Sequence, residues 1–232
     1  MTGVSDQGIA ARLAAVRDRV AAAAGAAGRD AAGIRIVGVS KRQPLDAVRA
    51  ALAAGLEDFG ENFLQEALAK MDALGPTRAS WHFIGTLQSN KTAVVAERFD
   101  WVHSVDRARL AERLARQRPA ELPPLNVCVQ VHVGGEASKA GVAPDAAAAL
   151  ARQVTALPGL RLRGLMAVPP PETEPLRQRA WCRQLGTLYS RLRSEGLPLD
   201  TLSMGMSDDL EAAIAEGATL VRIGTAIFGP RG

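Results

Sequence analysis

LSMGMSDDLEAAIAEGATLVRIGTAIFG, residues 202–229, is the stretch on which the fold turns. A short apolar run closes in Met204-Gly205-Met206. Ser207-Asp208-Asp209 then puts a hydroxyl and two carboxylates ahead of an alanine-rich helical pattern, the composition of a helix N-terminus. The next run, 219–223, is too short for a helix and breaks at Gly224-Thr225, whose N–H groups and hydroxyl suit an anion. Two such turns after the last two strands are the usual phosphate site of a (β/α)8 barrel, although an ordinary helix cap followed by an ordinary turn has the same composition.

Working back along the chain, residues 5–27 carry Ile9, Leu13, Val16 and Val20 at the spacing of an amphipathic helix, and residues 28–33 break it. Short apolar runs at 34–40, 58–60, 81–85, 101–104, 126–133, 160–167, 201–204 and 219–223 then alternate with helical patterns. Strands alternating with helices imply parallel pairing, and eight such units can close. The last run has little chain left for a helix, so the leading helix is expected to cover that position. The expected fold is α/β, a single (β/α)8 TIM-type barrel with an extra N-terminal helix, as one domain over residues 1–232. A doubly wound open sheet is the alternative, but no G-x-G-x-x-G follows a strand, and residues 135–141 are spaced wrongly for a P-loop.

No run approaches the ~18 apolar residues of a membrane span, and the N-terminus lacks the order of a signal peptide, so a cytoplasmic protein is expected. A monomer is the default expectation. The formal charge of +4 comes from arginines scattered over many helical patterns, which argues against nucleic acid. Cys128 and Cys182 match no ligand spacing and read as reduced, packed thiols. Of the 28 basic residues only Lys41, Lys70, Lys91 and Lys139 are lysine. A lysine at a strand end therefore suggests a need for a primary amine, since a guanidinium cannot be deprotonated to act as a nucleophile.

Alternate side chains of a barrel strand face the lumen. In the fifth run Val127, Val129, Val131 and Val133 make a helix-facing set, leaving Asn126, Cys128, Gln130 and His132 inward. The same parity turns Val37, Val39 and Lys41 inward in the first run, and Leu220 and Arg222 inward in the eighth. An inward lysine, an inward arginine and two phosphate turns at one mouth match the needs of pyridoxal phosphate: an amine for a Schiff base, a partner for the pyridine nitrogen, and N–H groups for the phosphate. A surface lysine or a simple phosphate counter-charge is the plainer reading of Lys41.

Val39-Ser40-Lys41, Phe59-Gly60-Glu61-Asn62 with Gln65-Glu66, Trp81-His82-Phe83-Ile84-Gly85 with Leu87-Gln88-Ser89-Asn90-Lys91, Gly164-Leu165-Met166, and residues 203–209 with 222–229 closely resemble the pyridoxal phosphate homeostasis protein family. The resemblance spans nearly the whole chain. It implies a single-domain relative of the alanine racemase N-terminal barrel that binds pyridoxal 5'-phosphate without robust catalysis. Transient apo-enzyme partners are compatible with the sequence, which names none of them. It makes Lys41 the Schiff-base lysine, Ser207, Gly224 and Thr225 phosphate ligands, and Arg222 the pyridine-nitrogen partner, with Asn62, Ile84 and Met204 near the ring. His132 stands where the family more usually has asparagine, and Thr86 also departs from its pattern. A weakly active amino-acid racemase is the alternative function, and a phosphate-binding interaction module without cofactor chemistry is a third reading.

The remaining residues read more plainly. His82, His103 and His132 lie on three strands with no acidic partner at fixed spacing, so no metal site is expected. Lys91 and Lys139 suit either a second anion or a solvated rim. Trp81, Trp101 and Trp181 read as packing residues, and Tyr189 falls in a helical pattern outside the barrel.

Overall fold

The computed structural model describes residues 6–134 and 140–230. Among them, β1 (Arg35–Val39), β2 (Asp58–Glu61), β3 (Ser80–Phe83), β4 (Trp101–Val105), β5 (Leu125–Gln130), β6 (Leu160–Met166), β7 (Thr201–Ser203) and β8 (Leu220–Ile223) pair in parallel in chain order. β8 pairs back onto β1, with Val37 opposite Arg222, so the barrel is closed. The connections carry α2 (Leu45–Ala53), α3 (Leu64–Leu74), α4 (Thr92–Arg98), α5 (Ala108–Gln117), α6 (Ala147–Thr155), α7 (Pro175–Ser194) and α8 (Leu210–Ala215). α7 starts cleanly because Glu174 caps the N–H groups of Leu176 and Arg177, and Pro175 needs no donor at the first helical position.

The leading helix α1 (Asp6–Ala26) packs against α8, α2 and the short α9 (Thr225–Phe228), filling the place of an eighth outer helix. Its apolar stripe of Ile9, Leu13, Val16, Val20 and Ala24 is buried. Arginines on its flanks fasten it down: Arg12 donates to Ile227 O, Arg17 to Gly55 O, and Arg19 in a fork to Glu211.

Strand alternation divides the interior into a shell under the helices and a filled lumen. Val127, Val129, Val131, Val133, Val221 and Ile223 belong to the shell, whereas Trp101, Cys128 and Met166 pack together inside. Trp101 and His103 face inward by ordinary alternation, and an irregularity between Val102 and Val105 then changes the parity of β4 so that Val105 joins the shell. At Gly164 a Cβ would meet Thr201 O at 1.6 Å, so β6 and β7 approach as closely as they do only with glycine there.

The fifth strand is shorter than the run 126–133, because after Gln130 only an isolated bridge, Val131 to Val142, continues it. Cys128 and Cys182 are free and buried, and burial pushes both thiols up to about 12, which keeps them inert at neutral pH. Among the described residues no helix is long and apolar enough to cross a membrane.

Candidate functional site

The C-terminal mouth gathers the residues singled out from the sequence. Lys41 lies two residues after the end of β1 and is half-buried. Asn62 and Ile84 follow β2 and β3 and share the inward parity of Gly60 and His82, since Phe59, Trp81 and Phe83 occupy the shell. A Cβ on Gly85 would meet Asn62 O at 2.4 Å, so glycine permits the two strand ends to touch. Asn62 Oδ1 is buried and has no hydrogen-bond partner among the described residues.

The turn that carries Lys41 is pinned from beneath by a cluster the sequence did not reveal. Lys70, on α3, is buried, and its ammonium donates to Ser40 O, Glu61 Oε1 and Glu66 Oε1, each at 2.6 Å. Ser40 Oγ donates to the same Glu61 oxygen at 2.7 Å, and Arg42 N donates to Glu66 Oε1 at 2.5 Å. Arg42 sits at φ 59, a left-handed conformation that costs a non-glycine residue energy. Both neighbours of Lys41 are thus fixed, which holds its backbone. Burial raises the Glu61 carboxyl, while Lys70 and Ser40 act in the opposite direction.

The two final turns abut. Gly205 at φ 96 lets the chain leave β7 where a side chain would strike Ala213, and Arg222 N donates to Gly205 O at 2.9 Å. Ser207 Oγ accepts from Ala226 N at 3.3 Å, which brings Ser207 against the Gly224-Thr225 turn. Arg19 on α1 donates to Ser207 O, so the leading helix braces this corner. α8 begins at Leu210 with Asp209 at its N-cap, so Ser207-Asp208-Asp209 forms the helix N-terminus expected from the sequence. Residues 207–209 enter it as a turn, tied by Asp209 Oδ1 accepting from Met206 N.

Arg222 is buried inside the barrel. It donates through Nη1 to Ser203 O and Oγ, at 2.8 and 2.6 Å, and through Nη2 to Ala167 O at 2.8 Å. Burial pulls its guanidinium down to about 10, which leaves it charged at neutral pH.

Two expectations are corrected. Met204 is fully buried in the shell, because Ser203 takes the inward position on β7 and adjacent side chains point oppositely. Its side chain does not face the mouth. His82 does have an acidic partner: Asp58 Oδ1 lies 2.9 Å from its Nε2, brought there by strand pairing and not by sequence spacing. His82 also meets His103 at 2.9 Å, and His103 meets Ser203 Oγ at 2.9 Å. Among the described residues no group of three or more His, Cys, Asp or Glu is placed to hold a metal.

His132 is half-buried, with Nε2 lacking a partner among the described residues. Lys91 ends a 3-10 turn before α4, and Lys139 lies outside the described residues. Tyr189 sits on α7 with its hydroxyl donating to Leu199 O at 3.3 Å, outside the lumen. Trp101 is more than filler: it stacks on His82 and carries the Arg35 and Arg163 guanidinium groups at 5.5 and 4.7 Å from its ring centre.

The sequence model of the alanine racemase N-terminal domain matches residues 11–232. A Pseudomonas aeruginosa protein named pyridoxal phosphate homeostasis protein is 60% identical over 223 residues, 96% of each chain. The chain belongs to the pyridoxal phosphate homeostasis protein family. The Escherichia coli K12 protein of the same name is 52% identical over 226 residues, 96% of this chain and 97% of that one. Among solved structures of this kind, PipY of Synechococcus elongatus with pyridoxal phosphate bound is 38% identical, with a TM-score of 0.84 over 95% of this chain and 100% of that chain. Alanine racemase from Corynebacterium glutamicum, at 16% identity, shares the fold alone, with a TM-score of 0.69 over 62% of its longer chain.

Proposed function

We propose that this family member binds pyridoxal 5'-phosphate at the barrel mouth, through a Schiff base on Lys41, and serves intracellular homeostasis of that cofactor without robust catalysis of its own. The observation that carries the reading is the convergence of Lys41, Arg222 and the abutting Ser207 and Gly224-Thr225 turns at one end of a closed barrel. The residues fit the group. The buried Asn62 Oδ1, without a partner among the described residues, leaves an acceptor for a ligand at the ring position, and Arg222 offers only donors. Pyridoxal phosphate would supply an aldehyde for the Lys41 amine and a ring able to delocalise negative charge.

The remaining work falls to the chain. The Lys70 cluster holds the Lys41 turn, Ser207 with Gly224 and Thr225 would hold the phosphate, and Ile84 would lie against the ring. Arg222, charged and donor-only, would keep the pyridine nitrogen unprotonated and so weaken the ring as an electron sink. Racemisation needs acid–base groups on both faces of the reacting carbon. Tyr189, the single tyrosine, points away from the mouth.

Reduction of the purified protein with borohydride, followed by peptide mass mapping, should place the cofactor adduct on Lys41. An adduct chiefly on Lys91 or Lys139 would overturn the assignment. The racemase reading has one observation in its favour, the Nε2 of His132, which has no partner among the described residues. L-alanine, L-serine and L-lysine in deuterated water should show little Cα exchange. Rapid exchange that disappears in His132→Asn would make the protein an enzyme.

A further inference from the structure

A row of hydrogen-bonded side chains crosses the lumen from Asp58, at the N-terminal end of β2, to Arg222 near the mouth, and its chemistry allows one direction. Asp58 Oδ1, as a carboxylate, can only accept, so the bond of 2.9 Å to His82 requires a proton on His82 Nε2. Both imidazole rings are completely buried, and burial lowers His82 and lowers His103 further, so each carries a single proton. His82 Nδ1 then accepts from His103 Nε2 at 2.9 Å, and His103 Nδ1 accepts from Ser203 Oγ at 2.9 Å. With its proton used, Ser203 Oγ presents a lone pair, and Arg222 Nη1 donates to it at 2.6 Å. The acceptor-only carboxylate thus sets the polarity, and the donor-only guanidinium at the other end is compatible with it.

We propose that Asp58, His82, His103 and Ser203 form a one-way hydrogen-bond column that makes Asp58 the remote counter-charge of Arg222 and holds Arg222 as a donor toward the pyridine nitrogen of the bound cofactor. The cofactor half of this statement rests on the function proposed above. Every dipole in the column turns its lone pair toward the guanidinium and its proton toward the carboxylate, so the dipoles favour both end charges. Such a column is needed because Arg222 is buried and makes no ion pair among the described residues. Asp209 is the carboxylate that acts on it electrostatically from the mouth side. At the other end Arg35 Nη1 lies 3.5 Å from Asp58 Oδ1 and over Trp101, which closes the floor. These groups are positioning residues: they would touch Arg222, or one another, and never the cofactor.

Histidine 15N spectra of the cofactor-free protein test the column directly. At pH 7 both His82 and His103 should be neutral with the proton on Nε2, assigned by His82→Gln and His103→Gln. A proton on Nδ1, or a doubly protonated ring, at either position would overturn the column. Its link to the mouth is read by comparing the affinity for pyridoxal phosphate with that for its 1-deaza analogue, in which a C–H replaces the ring nitrogen. The unaltered protein should prefer the nitrogen, and Ser203→Ala should cut that preference by roughly tenfold, the loss of a charge-assisted hydrogen bond. Asp58→Asn, which keeps the acceptor for His82 but removes the charge, should cut it in the same direction with the Nε2 protons retained. An unchanged preference in both variants would sever the column from the cofactor. Failure of the unaltered protein to bind either compound would instead refute the proposed function, with the histidine spectra still deciding the column.

Discussion

Lys70 Nζ lies 2.6 Å from Glu61 Oε1, with 6% of the lysine side chain and none of the glutamate exposed. An ion pair so deeply buried adds little net stability over an apolar pair, but losing one partner strands the other charge. Lys70→Met should therefore destabilise the protein by about 3–5 kcal/mol in urea denaturation. Lys70→Met with Glu61→Gln should recover much of that loss. The single variant should also slow cofactor attachment, since the ammonium holds Ser40 O beside Lys41.

The abutting turns separate phosphate recognition from aldehyde chemistry. Ser207→Ala with Thr225→Val should weaken pyridoxal phosphate by roughly tenfold or more, the value of a charge-assisted hydrogen bond, and leave pyridoxal without phosphate nearly unaffected. Equal loss for both compounds would show that the phosphate sits elsewhere. Lys41→Arg keeps the charge and should abolish the absorbance of the covalently bound cofactor.

The buried histidines set a pH dependence of stability. Burial holds His82 and His103 below the ordinary histidine value, so below about pH 6.5 the unfolded chain binds protons that the native protein does not. Their contribution is complete above that pH. It is lost as the pH falls, by up to ~1.4 kcal/mol per pH unit for each ring. Urea midpoints between about pH 6.5 and 5 should show this slope before most carboxylates titrate, and replacing both rings with glutamine should flatten it.

Two glycines should respond in opposite ways to alanine. Gly164→Ala should prevent folding or cost more than about 4 kcal/mol, because the new Cβ falls on the backbone of Thr201. Gly25→Ala lies within α1 and meets nothing within 4 Å, so it should stabilise by about 0.5–1 kcal/mol through reduced backbone entropy in the unfolded chain. Thermal melts of the two variants distinguish a packing role from a purely conformational cost.

The barrel was legible in the sequence because its signal is periodic. Alternating valines in β5 and the inward parity of Lys41 and Arg222 follow from a two-residue repeat, and eight such runs interleaved with helices leave few ways to bury their apolar faces. The mouth was legible too, because Gly224-Thr225 follows β8 directly and Ser207 follows β7 after three residues, so both lie at C-terminal strand ends. Parity also overrules the resemblance at one position. The resemblance puts Met204 near the ring, but the inward place on β7 already belongs to Ser203.

Contacts between strands were decided by the tertiary structure alone. Asp58, His82, His103, Ser203 and Arg222 come from five strands, and their sequence separations say nothing of their height in the lumen. That height is set by the parallel register and the stagger of barrel closure. The Lys70 cluster depends likewise on how α3 packs over the end of β2, which fixes where a long side chain can deliver its charge. A single sequence specifies which face each residue takes, because side-chain alternation is a local property of the backbone. Which polar groups then meet is a property of closure, since only the closed barrel brings distant strands within the ~3 Å at which a hydrogen bond forms.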